Sequence, residues 1–376
     1  MLIRKGDIMK KIPLAKPDIT QKEIDYVTEV MHTGILSIGP KIEIFEKMCA
    51  KIAQVKYAVA VNSGTSGLHL IIKALGIGAG DEVITTPFSF IASSNCVLFE
   101  NAVPVFVDID VNTLNMDISK VEAAITPKTK AIIAVDAFGQ PIDMVSLRKI
   151  ADKHHLYLIE DSAEAIGSSF KGHMTGSLAD AAIYAFYPNK QITTAEGGVI
   201  LTNNQKTAQL CQSMRSQGRA VTGLWLHHER LGYNYRLSEL HAVIGVAQLE
   251  RFSEILEKRR KAAEYYNKKL ENIAWLKTPY ISNDVTYMSW FVYVIRVDKS
   301  IRDDMMRYLI ENGIGCKPYF TPIHTQPYYA EKFGFKKGDF PITDMIADEC
   351  IAIPFYTNIT EEEMDYVIEK IKAYKN

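Results

Sequence analysis

Short apolar segments alternate with helical segments through the first half of this sequence, and this alternation constrains the fold more than any other feature. The predicted strands are 57–61, 82–86, 104–109, 131–139 and 156–161, and the predicted helices between them are 65–75, 90–100, 118–125 and 143–154. Strands that are apolar throughout and linked by helices form parallel sheets covered on both faces. We therefore predict an α/β fold with a mainly parallel sheet between helices, and a ligand site beyond the carboxyl ends of the strands.

The rest of the sequence predicts a second, smaller unit. The pattern is helical at about 204–216 and 236–272, and a smaller α/β portion follows, with a strand at 290–297. The first residues lack the apolar core of a signal peptide, and Met9 begins a second plausible start. We predict an N-terminal extension at 1–11, a large domain at 12–255 and a small C-terminal α/β domain at 256–376.

Composition excludes several functional classes. Lys and Arg number 43 and Asp and Glu 44, so the net charge of -1 argues against binding to a nucleic-acid backbone. No apolar stretch has the length of a transmembrane helix. The five cysteines are scattered without a CxxC pair, which indicates neither a disulfide framework nor a metal site. A reducing, cytoplasmic location fits this pattern.

One candidate anion site follows the first predicted strand of the sheet. Gly64, Thr65 and Ser66 lie in Asn62-Ser63-Gly64-Thr65-Ser66-Gly67, where the strand ends and a helix opens. Free backbone N–H groups and the helix dipole favour an anion at such a junction. Ser and Thr are also common as simple helix N-caps, and the motif alone leaves both interpretations open.

A lysine and two carboxylates follow other predicted strands. Lys190 comes after the apolar run 181–186, where it is either a solvated loop charge or a reactive amine. Asp161 ends the strand 156–161, and Glu164 follows three residues later. A lone Asp at a strand end is more often a cap or an ion-pair residue. Phe90 follows the strand 82–86 and is by itself an ordinary core candidate.

Together, these residues suit one cofactor, pyridoxal 5'-phosphate (PLP). Its phosphate needs N–H donors, and its ring nitrogen needs a carboxylate that keeps it protonated. Its aldehyde needs a lysine amine, and its ring needs a flat apolar partner such as Phe90.

The combination resembles the sugar aminotransferases of the DegT/DnrJ/StrS type, within the aspartate aminotransferase fold. The resemblance extends from Ile12 to the last predicted helix. It implies a PLP-dependent transferase of fold type I with a seven-stranded sheet. The motifs that carry it are NSGTSGLHL (62–70), TPFSFIASSN (86–95), EDSAEAIGS (160–168), AFYPNKQITTAEGG (185–198), GYNYRLSELHA (232–242), KPYFTPIHTQPYY (317–329) and IPFYTNITEEE (353–363).

The resemblance also implies roles for single residues around the cofactor. Lys190 is then the catalytic lysine that forms the Schiff base and carries the proton, and Asp161 pairs with the pyridine nitrogen. Glu164 faces the ring hydroxyl, where the family often has Gln or His. Thr65 and Ser66 in the loop that begins at Gly64 hold the phosphate, and Phe90 stacks on the ring. Ala185 replaces a serine that is frequent in the family as a further phosphate ligand.

Other implied roles concern a partner subunit and the sugar substrate. Asn234 resembles the residue that reaches the phosphate of the partner's cofactor, which implies a homodimer with active sites at the subunit interface. The residues that match regions around the sugar nucleotide are Ser37, Gly39, Tyr319 and His324.

The function that the resemblance implies is amino transfer from L-glutamate to a nucleotide-linked keto sugar. The product is a nucleotide-linked amino sugar for polysaccharide or glycan biosynthesis. Two alternatives stay open: a regulatory or non-catalytic binder of PLP or sugar nucleotide, and a PLP-dependent sugar dehydratase. Related dehydratases have histidine in place of the lysine, so Lys190 argues against the second alternative.

Overall fold

The computed structural model describes residues 11–220 and 226–375. Its strands are β1 (Tyr57–Val61), β2 (Glu82–Thr85), β3 (Val103–Phe106), β4 (Thr129–Val135), β5 (Tyr157–Asp161), β6 (Ser169–Phe170), β7 (His173–Met174), β8 (Ala181–Ala185), β9 (Gly198–Thr202), β10 (Leu276–Lys277), β11 (Val285–Tyr287), β12 (Tyr293–Val297) and β13 (Cys350–Ile353). Its α-helices are α1 (Gln21–Thr33), α2 (Pro40–Ala53), α3 (Gly64–Ala74), α4 (Ala92–Phe99), α5 (Met144–His154), α6 (Gln205–Arg215), α7 (Glu239–Glu250), α8 (Phe252–Leu270), α9 (Lys299–Glu311), α10 (Pro327–Phe333), α11 (Pro341–Glu349) and α12 (Glu361–Ala373).

A seven-stranded sheet forms the centre of the larger part, in the order β1-β9-β8-β5-β4-β2-β3. The neighbours from β8 through β5, β4 and β2 to β3 are parallel. Only β9 within this sheet runs against its neighbours, β1 and β8. The prediction of a mainly parallel seven-stranded sheet between helices is therefore confirmed.

Two apolar layers cover the faces of this sheet, which explains why its strands are apolar throughout. One layer includes Phe45 of α2, Leu147 of α5 and Val246 of α7. The opposite layer includes Leu70 of α3 and Cys211 of α6. Successive residues of β4 alternate between the two layers, as side chains do along any strand.

The C-terminal part has its own core around the antiparallel sheet β10-β12-β13. Ile12 belongs to this core, and its N–H donates to the carbonyl of Gly313 at 2.9 Å. Strand β11 pairs with β6, so strand pairing also joins the two parts. Residues 1–10 of the predicted extension lie outside the described residues. The boundary between 12–255 and 256–376 stays a prediction, and it falls within α8.

The structure differs from the predicted helices at two places. The segment predicted as a helix at 118–125 forms two short 3-10 turns, Ile118–Lys120 and Glu122–Ala124. The helix predicted at 236–272 is divided at Arg251, whose guanidinium pairs with Asp18 at 2.6 Å and Glu23 at 3.0 Å. No helix in the described part of the chain has both the length and the apolar character to cross a membrane.

Two buried carboxyl groups lie at the ends of β4 and β5. Asp136 follows β4, and its Oδ1 accepts the N–H of Ile142 at 2.9 Å. Glu160 lies on β5, and its Oε2 accepts the N–H of Gly176 at 2.7 Å. Burial raises the pKa of Asp136 to about 7. Burial, together with repulsion from Asp136, raises the pKa of Glu160 well above its usual value.

These raised pKa values predict that stability depends on pH. In the folded protein Asp136 and Glu160 keep their protons to a higher pH than in the unfolded chain, where carboxyl groups have a pKa of about 4. The free energy of unfolding therefore decreases as the pH rises from about 4 through 7. The loss is up to about 1.4 kcal/mol per pH unit for one proton. We expect Glu160→Gln to reduce the pH dependence of the free energy of unfolding between pH 5 and 7, as measured by urea denaturation. The exposed Glu361→Gln should keep the wild-type slope, and an equal slope in Glu160→Gln would contradict the assignment.

Candidate active site

A cavity of about 530 Å³ lies at the carboxyl ends of β1, β5 and β8. The large sheet contributes Thr65, Asp161 and Lys190 to its wall. Phe291 and Tyr319 close it from the C-terminal part of the chain. Residues that are far apart in the sequence therefore meet in one cavity between the two parts.

Lys190 points its amine into this cavity. Its Nζ lies 3.3 Å from Oε1 of Glu164 and 4.0 Å from the centre of the Phe291 ring. The side chain is only 12% exposed. The turn after β8 places it there, with the Lys190 N–H donating to the carbonyl of Tyr187 at 2.9 Å. The location favours a reactive amine over a solvated loop charge.

Hydrogen bonds fix both the side chain and the backbone of Glu164. Its Oε2 accepts the N–H of Phe138 at 2.9 Å, and its backbone carbonyl accepts Nε2 of Gln191. Gln191 also donates to Oγ of Ser289 at 2.8 Å. Burial raises the pKa of Glu164, and the nearby charge of Lys190 opposes this shift. The carboxyl group is therefore fixed beside the amine.

Asp161 lies buried at the end of β5. Ser93 donates its hydroxyl to Oδ2 of Asp161 at 2.6 Å, and the N–H of Ala163 donates to Oδ1 at 3.2 Å. Burial raises the pKa of Asp161, while the Ser93 hydrogen bond and the charge of Lys190 lower it. A buried carboxylate that already accepts these two bonds is well suited to a cationic N–H as a further partner.

The N-terminus of α3, here called the cradle, has the geometry of an anion site. Ser63 caps the helix, with its Oγ accepting the N–H of Ser66 at 3.1 Å. Within the described residues, the N–H groups of Gly64 and Thr65 have no acceptor, and both residues line the cavity. Ser66 is placed differently, since its buried hydroxyl donates to Oδ1 of Asn62 at 2.6 Å behind the cradle. The structure thus brings Gly64 and Thr65 to the cavity, and not Ser66.

The cradle depends on close packing that only a glycine allows. A Cβ atom added to Gly64 would lie 2.9 Å from Cβ of Ala185 on β8. One added to Gly197 would lie 2.3 Å from Oγ1 of Thr194. Real Cβ atoms do not approach that closely, so the helix N-terminus and the strand end are in direct contact. With Asp161 and Lys190, this cradle fits a phosphate-bearing cofactor such as PLP.

Two further predicted residues, Phe90 and Tyr319, line the same cavity. Phe90 lines the cavity and is 63% exposed, so one ring face is open to a ligand. Tyr319 lines the opposite wall, where burial and the nearby Glu164 raise its pKa to about 12.

Besides Ser66, four predicted residues do not line this cavity. His324 is fully buried, with Nε2 3.3 Å from Oδ1 of Asp344, and its position does not support contact with a sugar nucleotide. Gly39 is the N-cap of α2 and packs against Glu239. Ser37 and Asn234 are exposed. An isolated chain therefore does not bring Ser37, Gly39 or Asn234 to its own cavity.

The sequence interpretation missed two residues of the site. Ser93 binds Asp161, and its position within the motif TPFSFIASSN was the available signal. Phe291 lies under the amine of Lys190 and carries no motif of its own. Only its place within the predicted strand 290–297 pointed to burial.

Comparison with known proteins gives the family. The DegT/DnrJ/EryC1/StrS aminotransferase family matches residues 17–372. The chain belongs to this family. The resemblance inferred from the motifs is thus confirmed over nearly the whole chain, as is the enzyme class, a PLP-dependent enzyme of the sugar aminotransferase family.

Individual members of the family are similar along their full length. The spore coat polysaccharide biosynthesis protein SpsC of Bacillus subtilis is 37% identical over 375 residues, covering 96% of both chains. The GDP-perosamine synthase of Escherichia coli O157:H7 is 37% identical over 367 residues, covering 97% of this chain and 99% of the relative. The structure of NtdA from Bacillus subtilis with bound cofactor PMP has a TM-score of 0.87 at 30% identity, covering 98% of this chain and 86% of NtdA. PMP is the amine form of PLP, which confirms the predicted cofactor and fold type I.

The contact between Gly64 and Ala185 gives a test of the cradle. We expect Gly64→Ala to weaken PLP binding about tenfold, since an inserted methyl group in a packed site costs about 1–3 kcal/mol. Ala185→Gly removes the opposing Cβ, so the double variant should recover most of the affinity. Absorbance titration of the apoprotein with PLP measures both effects.

Gly78→Ala is the matched control. Its added Cβ would meet only the carbonyl of Glu100 at 3.7 Å, an ordinary contact. It should bind PLP like the wild type. Equal affinities for Gly64→Ala and Gly78→Ala would show that the close approach of α3 to β8 has no part in cofactor binding.

Proposed function

We propose that this protein transfers an amino group from L-glutamate to a nucleotide-linked keto sugar. The observation that carries the proposal is the buried Lys190 amine, 3.3 Å from Glu164, in a cavity that also contains Asp161 and the α3 cradle. The relatives that act in spore coat polysaccharide biosynthesis and in GDP-perosamine synthesis support a sugar substrate. The product would be a nucleotide-linked amino sugar for polysaccharide or glycan biosynthesis.

Each residue of the cavity then has a distinct task. The N–H groups of Gly64 and Thr65 bind the cofactor phosphate, and Asp161 holds the proton on the ring nitrogen. PLP, when bound, supplies the electron sink that stabilises a carbanion at the donor's α carbon. Lys190 would take the proton from the donor's α carbon as general base and would pass it, as general acid, to the cofactor carbon. The same two roles would be used in reverse order with the keto sugar.

Glu164 and Phe291 control the position of the Lys190 amine. The Glu164 carboxyl group at 3.3 Å and the centre of the Phe291 ring at 4.0 Å contact the amine and limit its movement. Tyr319 and Phe291 form the wall on the side of the C-terminal part. This wall reduces the access of water to the α carbon while the proton is transferred.

Exposed apolar residues support the second element of the proposal, a homodimer with shared active sites. Leu226 and Leu231 precede Asn234 in the chain and are 68% and 74% exposed. Ile35 and Ile38 are exposed in the loop that contains Ser37. Apolar surface of this kind marks association sites. We propose that a second copy covers it, so that Asn234 and the loop 34–39 reach the partner's cavity.

The five cysteines support the proposed cytoplasmic location. All of them, Cys49, Cys96, Cys211, Cys316 and Cys350, are buried free thiols. Free thiols are usual for proteins of reducing compartments.

Stepwise addition of substrates tests the function. Protein with bound PLP should show a visible absorption band that L-glutamate bleaches, with release of 2-oxoglutarate. A GDP-linked keto sugar, chosen because of the GDP-perosamine synthase relative, should then restore the band and yield an amino sugar detectable by mass spectrometry. If no amino donor changes the absorption band, the result would favour a non-catalytic binder. A deoxy sugar without an amine would favour a dehydratase.

Substitution of the lysine tests the residue assignment. Lys190→Ala should lower the transamination rate by at least about 10³-fold, because no other lysine among the described residues lines the cavity and could replace it as proton carrier. PLP should still bind through the cradle. The exposed Lys128→Ala serves as the control and should keep wild-type activity. A Lys190→Ala variant with near-normal turnover would refute the proposed role.

A further inference from the structure

The segment that carries Asn234 is attached to the phosphate cradle of its own chain. The carbonyl of Tyr235 accepts the N–H of Asn62 at 2.8 Å, and the carbonyl of Asn234 accepts Nδ2 of Asn62 at 3.5 Å. Oδ1 of the same Asn62 accepts the hydroxyl of Ser66 in the first turn of α3 at 2.6 Å. One asparagine therefore connects the cradle to the two successive carbonyl groups of Asn234 and Tyr235.

A buried polar chain fixes the tyrosine beside Asn234. His69 lies on α3, one turn after the cradle, and is 5% exposed. Its Nδ1 lies 3.2 Å from the hydroxyl of Tyr235, and its Nε2 lies 2.8 Å from Oε1 of Glu100. Lys73 binds the same carboxylate at 2.8 Å. A neutral imidazole that donates from Nε2 to the carboxylate accepts the tyrosine hydroxyl at Nδ1.

The two tyrosines on either side of Asn234 also stack on each other. The ring centres of Tyr233 and Tyr235 are 4.8 Å apart, with 11° between the ring planes. The ring of His69 lies 4.9 Å from Tyr233. The exposed Asn234 therefore lies in sequence between two tyrosines whose stacked rings contact His69 of α3, and it does not line the cavity of its own chain.

We propose that His69, Glu100 and Tyr235 are positioning residues that link the cofactor sites of two subunits. This inference rests on the proposed function, in which Asn234 of one chain reaches the cavity of its partner. A phosphate bound at the cradle orders the first turn of α3, and through Asn62 and His69 it orders the segment 233–235. The ordered segment then presents Asn234 to the second site. Binding of the first PLP molecule therefore increases the affinity of the second site for PLP.

Such a link has a thermodynamic signature. Binding that orders a shared element makes the next binding event tighter, and couplings between sites are typically about 5- to 150-fold in affinity. The wild-type dimer should therefore take up PLP with a Hill coefficient above 1. Tyr235→Phe removes only the hydroxyl that binds His69 and keeps the ring stack. It should bring the Hill coefficient to 1 and raise the PLP concentration at half saturation about 5-fold or more.

Tyr265→Phe is the matched control for the loss of a hydroxyl. The hydroxyl of Tyr265 donates to Asp365 at 2.7 Å on α12, outside the cavity wall and away from the segment 233–235. Absorbance titration of the apoprotein should give this variant the wild-type Hill coefficient. If Tyr235→Phe and Tyr265→Phe bind PLP alike and with the wild-type Hill coefficient, the inference is overturned.

Mixed dimers separate a link between subunits from a local structural effect. In a dimer of one Tyr235→Phe chain and one Lys190→Ala chain, the only intact lysine belongs to the Tyr235→Phe chain. Its site receives Asn234 from the chain in which Tyr235 is intact, so it should bind PLP with wild-type half saturation. Reduction with borohydride and mass spectrometry of each chain report PLP held on Lys190. The expected result is labelling at the wild-type PLP concentration.

The reverse combination should give the opposite result. A wild-type chain paired with a chain carrying both Tyr235→Phe and Lys190→Ala receives Asn234 from the altered partner, so its site should need more PLP. If PLP binding is weakened at the site of the chain that carries Tyr235→Phe, and not at the site of its partner, the inference is overturned. A wild-type dimer that forms the glutamate-sensitive band with a Hill coefficient of 1 overturns the link and leaves the proposed function intact. A protein that forms no band overturns both.

Discussion

The burial of the Asp161 carboxyl group is the constraint on which the rest of the site depends. A carboxylate is costly away from water unless hydrogen bonds and a positive charge compensate it. Ser93 and Ala163 provide the hydrogen bonds, and the cavity leaves space for a cationic partner. The same burial raises the pKa of Asp161, so its ionisation responds strongly to that partner. A protonated pyridine ring is such a partner, which connects the sheet geometry to the chemistry of PLP.

The glycines of the cradle serve packing and ligand binding at once. A Cβ added to Gly67 would lie 2.3 Å from Cδ1 of Ile183, and one added to Gly198 would lie 2.6 Å from the carbonyl of Ser63. The first turn of α3 therefore rests directly on β8 and β9. This contact brings the helix N-terminus, with its free N–H groups, to the strand ends where Lys190 is placed. Displacement of the helix would move the anion site away from the amine.

Local patterns predicted the sheet and those site residues that follow its strands. Thr65, Asp161 and Lys190 could be grouped from sequence because the parallel strands of one sheet have their carboxyl ends at the same edge. Packing between distant segments has no comparable local signal. The position of Phe291 under Lys190 depends on how the C-terminal part docks, and the burial of His324 depends on Asp344 and its neighbours. The hydroxyl of Ser66 turns away from the cavity because Asn62 binds it, a choice that residue type alone does not reveal.

The assembly of the cavity from both parts of the chain has a consequence for synthesis on the ribosome. The cradle, Asp161 and Lys190 all precede the end of β9, whereas Phe291 and Tyr319 emerge much later. The part of the cavity wall that contains Lys190 is thus synthesised before the residues that cover it. The pairing of β11 with β6 joins the late segment to the early one. The cavity in which we propose that PLP binds is accordingly complete only after the C-terminal part has been synthesised and has docked.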